Sequence, residues 1–373
     1  MTSLLLSTML VLSADATSIQ HVNVYYEKGR FGGWPANHGM WSWGNELLVG
    51  FSRGYYKDLG PERHNIDRDK PEEHCLARSL DGGETWTIET PNEQGMLLPQ
   101  GKSLHGTELP GVTIKPSEPS PGGINFGHPD FAMTVRMSNS DTDKSRFYFS
   151  YDRGHVWQGP YALPNFGFHG VMARTDYLVD DEGACTLFLT AAKSNEREGR
   201  VFSASTINAG KTWERKAVIG PEPEGYSIMP ASARLKDGSI VVTIRRRDGD
   251  RSWISAYKST DGGMNFQYLG IPVADTGEGN PPSLIALRDG RLCLTYAYRA
   301  APYAMCAKFS DDGGHTWSEE LVLRNDGTTR DIGYPRSVQR PDGKVVVVYY
   351  FASPETNPDR YIGATIFTPP ATK

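Results

Sequence analysis

Five copies of one eight-residue pattern constrain this chain more than any other feature. They read Ser79-Leu80-Asp81-Gly82-Gly83-Glu84-Thr85-Trp86, Ser150-Tyr151-Asp152-Arg153-Gly154-His155-Val156-Trp157, Thr206-Ile207-Asn208-Ala209-Gly210-Lys211-Thr212-Trp213, Ser259-Thr260-Asp261-Gly262-Gly263-Met264-Asn265-Phe266 and Ser310-Asp311-Asp312-Gly313-Gly314-His315-Thr316-Trp317. In the common form, Ser-x-Asp-x-Gly-x-Thr-Trp, the acidic or amide side chain bonds its own turn. The Gly takes a positive φ and the aromatic drops back into a core. The terminal aromatics lie 71, 56, 53 and 51 residues apart. Each period is too short to bury a core of its own, so neighbouring units must stack. The spacing fits the blades of a propeller.

A second repeat runs out of phase with the first. Asp237-Gly238, Asp289-Gly290 and Asp342-Gly343 each sit between β-branched, apolar runs, at intervals of 52 and 53 residues. Asp-Gly in that setting is a hairpin signal. A blade therefore reads as strand, Asp-Gly hairpin, strand, strand, repeated turn, strand. Innermost strands are expected near residues 37–43, 130–137, 171–179, 230–235, 282–287 and 335–340. The sixth blade lacks a repeated turn before its last segment, 361–368, and residues 21–26 alternate suitably to supply its fourth strand. The expectation is an all-β, six-bladed propeller of four-stranded antiparallel blades, occupying residues 19–373 as one domain and closed by joining its two ends. The 40 Gly, 25 Pro and 11% aromatic residues agree with a turn-rich β protein.

Residues 4–12 form an apolar run followed by Ala14-Asp15-Ala16, which resembles a signal peptide over 1–18. Secretion or periplasmic export is expected. The run is too short to span a membrane. A formal charge of −5 with both signs interspersed argues against a nucleic-acid partner. Cys75, Cys185, Cys293 and Cys306 have no metal-like spacing, so neither a metal nor another cofactor is expected. Cys293 and Cys306 flank one strand pair and either face each other or remain two separate buried thiols.

Turn geometry and packing explain the repeated Asp and Trp residues, so function is expected around the axis, where the blades converge. The chain as a whole resembles the sialidase (neuraminidase) superfamily, whose BNR or Asp-box repeats have this form at this spacing. That resemblance implies an exo-α-sialidase hydrolysing a terminal acidic sugar from a glycan. Three arginines would clamp a carboxylate, an Asp would be the acid/base, and a Glu would activate a Tyr nucleophile. Carried over by position, Arg53 follows an apolar strand and Asp58 stands five residues on, matching the acid/base. Arg245 ends a strand, Arg299 matches loosely, and Tyr334 in Gly333-Tyr334-Pro335 matches the nucleophile, with Arg336 close behind. Two positions depart. Gly33 replaces the first arginine, with Arg30 nearby, and Met229-Pro230 occupies the place of the Glu. Glu222, Glu224 and Glu278 are the loop carboxylates left to substitute.

Other residues near expected strand starts lie outside that pattern: His38, His128, His169 and Arg174. Histidine titrates near neutral pH and suits proton transfer. Histidine, tyrosine and arginine together can process a uronic-acid glycan by hydrolysis or β-elimination. The first interval is also longer than the others, through residues 87–127, which contain His105 and read as a lid or cleft wall. Three readings stay open: a sialidase-type hydrolase, a uronate-directed enzyme using His, Tyr and Arg, and a non-catalytic glycan-binding propeller. In each the partner is a glycan carrying a carboxylate.

Overall fold

The computed structural model describes residues 18–97, 104–137 and 145–371. The leader expected over 1–18 lies outside them, except for Ser18. Six antiparallel sheets follow in chain order and form a six-bladed propeller. Blade four shows the plan, with strands Tyr226–Arg234, Ile240–Asp248, Arg251–Ser259 and Gln267–Val273. Blade five repeats it from Ser283–Ala286 to Leu321–Arg324. The strand Val345–Phe351 of blade six is buried at all seven positions. Sheets packed on both faces explain why such strands read as unbroken apolar runs instead of alternating ones.

The ring closes through its ends. Ile19–Tyr25 pairs with Tyr361–Phe367, Ile19 opposite Phe367, and completes blade six from outside. Six core clusters among the described residues each draw on neighbouring sheets; Tyr25, Phe51 and Ile362, for instance, share one cluster.

The repeated turns are scaffold. In the first, Ser79 Oγ accepts from Gly83 N–H at 2.8 Å while Asp81 Oδ1 accepts from the Glu84 and Thr85 amides at 3.0 and 2.9 Å. Trp86 Nε1 donates to Gly83 O at 2.9 Å. The fifth turn has the same bonds on Asp312. Burial alone would raise these carboxyls, but the donated bonds win and hold Asp81 and Asp312 at about 2. Strand direction puts these turns and the Asp-Gly hairpins on one face, opposite the starts of the inner strands.

Three blades interrupt the plan, blade three by a break in its innermost strand between Val171–Met172 and Tyr177–Asp181. In blade one the innermost strand is split into Arg30–Gly33 and Met40–Trp43 by the short helix Pro35–His38. Blade two has three described strands, Ala132–Arg136, Arg146–Ser150 and Gln158–Ala162. Since Arg146–Ser150 leads into the repeated turn, it is the third strand of the plan and Ala132–Arg136 is the second. The innermost strand expected at 130–137 is thus corrected: that segment runs in the opposite direction. Thr134 fills the inner ring there, its hydroxyl donating to His38 O at 2.9 Å beside Thr175 at 2.7 Å.

All four cysteines are buried and free. Cys293 packs toward blade six and Cys306 toward blade four, on opposite faces of their sheet, so they do not face each other. No described helix is long and apolar enough to cross a membrane.

Candidate active site

Tyr334 opens the innermost strand of blade six in the left-handed region, φ 51°. Trp34, directly after Arg30–Gly33, and Met229, inside Tyr226–Arg234, share that conformation at 59° and 52°, and each of the three precedes a proline. A bulky residue at positive φ is held there only by its surroundings. Asn280 does this for Tyr334. Fully buried, it accepts from the Tyr334 amide at 3.3 Å and donates to Ile332 O at 3.0 Å. Gly333, at φ 100°, has no room for a Cβ, which would stand 2.3 Å from Asn280 Nδ2.

The phenol of Tyr334 lies among cations. Arg245 Nη1 donates to it at 3.2 Å, and the Arg299 guanidinium sits 5.2 Å from the ring centre. Burial pushes the phenol up, but Arg245, Arg299 and Arg174 together outweigh burial, so it titrates below the ordinary tyrosine value. Where the resemblance calls for a Glu, Met229 places its sulfur 3.9 Å from Arg245 Nη1. Among the described residues, no carboxylate base touches Tyr334.

Beside Tyr334 stands a pair the sequence reading did not assign. His64 Nδ1 lies 2.5 Å from Asp331 Oδ1, and the imidazole centre is 6.2 Å from that of Tyr334. Asp331 also accepts from Tyr350 at 2.6 Å and faces Arg360 Nε at 3.4 Å. Burial would raise this carboxyl, but His64, Arg360 and Arg299 overcome burial and hold it well below the usual carboxylate range. The Asp–His pairing fixes the ring and leaves Nε2 to the cleft. His105 stacks on Trp34, 4.0 Å between centroids, next to His64.

Trp34, His64, Arg68, Arg174 and Tyr334 line one arm of an axial cleft. Arg174 and His105 continue into a second arm, of about 760 Å³ with its mouth included, walled by His38, Arg136 and the long segment after residue 87.

Of the site residues expected from sequence, Tyr334, Arg245, Arg174 and His38 come to this cleft or its wall. His38 is 3% exposed, with Nε2 3.1 Å from Ser52 Oγ. The others do not serve as expected. Asp58 is exposed and caps its own turn at Gly60 N–H. Arg53 is bound to Glu73 at 2.6 Å, on the side of its strand facing Tyr25. Arg299 is buried with its guanidinium occupied by Ile332 O, Gly279 O and Tyr350. Arg336 crosses the axis to Ala36 O, Thr175 O and Asp176, which makes it a plug. His128 packs on Tyr151 of a repeated turn, at the opposite face, because its strand runs the other way. His169 is exposed and pairs with Glu196 at 3.6 Å, outside the cleft. Glu222 binds Ser194 and Arg200, and Glu278 binds Arg330, so neither replaces the Glu; Glu224 is an exposed loop residue that does not line either arm. Among the described residues, no group of three or more His, Cys, Asp and Glu is placed to hold a metal ion.

Solved structures of similar fold include a Dyadobacter fermentans protein of unknown function, 19% identical, with 94% of this chain and 99% of that one covered at a TM-score of 0.69. A sialidase from Streptococcus pneumoniae is 12% identical over 90% and 68% of the two chains, TM-score 0.59. An α-L-arabinofuranosidase from Fusarium graminearum is 12% identical over 91% and 97%, TM-score 0.54. No curated protein matches by sequence. The family model described as a BNR repeat-like domain matches residues 131–347. That span is more than half of the chain and carries four of the five repeated turns together with Tyr334, so the chain belongs to the BNR repeat-like family.

Proposed function

We propose that this protein is a glycan-cleaving enzyme that acts on an acidic sugar, with Tyr334 as nucleophile and His64 as acid/base. The observation that carries the reading is the Tyr334 hydroxyl 3.2 Å from the Arg245 guanidinium, with the His64–Asp331 pair lining the same arm of the cleft. A cationic field stands in for the missing Glu, because positive charge favours the phenolate. The phenolate oxygen attacks the anomeric carbon as the glycosidic C–O bond breaks, and the departing oxygen takes a proton from His64. Water then attacks the glycosyl–tyrosine bond, gives its proton to His64 and restores the phenolate. Arg68, which lines this arm, supplies the partner for a carboxylate, while Arg174 beside it is already paired through both Nη atoms with Glu198. A uronic acid fits better than a sialic acid, since Arg53 and Arg299 are bound elsewhere and a three-arginine clamp is not assembled. The sialidase and arabinofuranosidase among the structural neighbours support glycoside cleavage, and the apolar leader supports export.

The oriented imidazole of His64 also favours a second reading, β-elimination, in which it takes the proton next to the carboxylate. Assay on uronyl and sialyl aryl glycosides, with ultraviolet detection of unsaturated products in parallel, separates the two. Tyr334→Phe is expected to lower kcat by at least about a thousandfold with an unchanged melting temperature, as loss of a covalent nucleophile does. Near-normal turnover in that variant would overturn the nucleophile.

A further inference from the structure

The second arm of the cleft takes no part in that reaction, yet it holds a charge without a counter-charge. Arg136 is 4% exposed and lines this arm. Its Nε–H donates to the Thr134 hydroxyl at 3.3 Å and its Nη1 binds His74 Nδ1, while Nη2 is left over. Burial brings it down to about 10 against an upward pull from Tyr148, whose ring centre is 5.8 Å away, and the like charge of Arg146 adds to the fall; no described carboxylate is paired with it. A buried guanidinium without an anion is costly, so the site is incomplete as it stands.

The walls around it are equally unsatisfied. His38 Nδ1, Asn92 Oδ1, His105 Nδ1 and Glu108 Oε1 are buried without a hydrogen-bond partner among the described residues, and all four residues line the same arm. Burial and Glu72 raise the Glu108 carboxyl, which favours its neutral, proton-donating form. The nearby anions are occupied, Glu73 by Arg53 and Arg30 and Glu72 by the His105 amide. Arg136 and Arg146 thus act on one another in an arm also lined by Glu72, Glu73 and Glu108, and with those carboxylates engaged or pushed toward neutrality the site suits an anionic, hydroxyl-rich ligand.

We propose that this arm is a second subsite that seats an anionic substituent, carboxylate or sulfate ester, of the sugar next to the one cleaved, with Arg136 as its counter-charge. The proposal rests on the reading of the cleft as a glycan site. The substrate class is then a polyanionic glycan, with acidic groups on neighbouring sugars.

The test is binding, read by melting temperature and calorimetry on the full chain. Sodium glucuronate or sodium sulfate at millimolar concentration is expected to stabilise the wild type; glucose and glucuronate methyl ester are not. A shift with glucuronate alone assigns a carboxylate, and a shift with sulfate alone a sulfate ester. Arg136→Met should weaken the anion by about tenfold or more, the loss of a charge-assisted pair, while the ligand-free variant melts no lower than wild type. Leu109→Trp, which fills the arm from its apolar wall, should block binding with Arg136 intact, and it answers the question if Arg136→Met fails to fold. Undiminished anion binding in these variants, or no shift with either anion, would overturn the subsite. Tyr334→Phe should keep the shift. An Arg136-dependent shift in a wild type that cleaves nothing would sink the catalytic reading and leave the subsite standing.

Discussion

Asp331 shows how much one buried carboxylate carries in this molecule. It is fully buried and answers to His64, Tyr350 and Arg360 at once. Asp331→Asn leaves those groups facing an amide, and removal of one partner from a buried charged network costs about 3–5 kcal/mol. Its folded pKa lies below the unfolded value, so the stabilisation is present above about pH 4 and lost as pH falls through that range. Denaturant melts of both proteins across pH should therefore converge in acid and separate toward neutrality; a constant gap would show that the charge does not matter. Tyr334 and Arg245 were legible in the sequence because each occupies a fixed place in a blade. His64 and Asp331 were not, since 267 residues separate them and only closure of the ring makes them neighbours. The nearest signal was Asp58: the loop chosen for its spacing is the loop that delivers His64, six residues later.

At the scale of single elements, the repeated turn was read correctly from sequence because its chemistry is local. Side chains and backbone groups two to four residues apart close the bonds that shape it. Trp213→Ala removes a ring that is 6% exposed in a core cluster beneath one such turn. The expected loss is about 3–5 kcal/mol of stability, with kcat unchanged because the turn faces away from the cleft. A kinetic defect without a thermal one would contradict the structural role. Blade two was misread for the converse reason. Which strand of a blade is innermost depends on contacts across the ring, and a missing first strand leaves no mark on the hydrophobic pattern. The reversal carried His128 to the far face.

For the whole molecule, closure by Ile19–Tyr25 couples the first strand to the last. A chain starting at Tyr26 would leave Tyr361–Phe367, buried at all seven positions, as an open edge. Unpaired edges of that kind pair with other chains. The truncated protein is expected to aggregate on light scattering and to melt well below the full chain; a monomer of unchanged stability would show that the ring holds without its clasp. The absent inner strand of blade two has a further consequence. Five blades bring an inner strand to the axis, while beside the sixth place a long connecting segment turns Asn92, His105 and Glu108 to the cleft and packs Leu97, Ile124 and Phe126 into the blade cores. Mutation can rewrite its cleft-lining positions while its core positions keep the ring intact. One descendant could come to prefer a new polymer while its melting behaviour, and the chemistry at Tyr334, stay those of the parent.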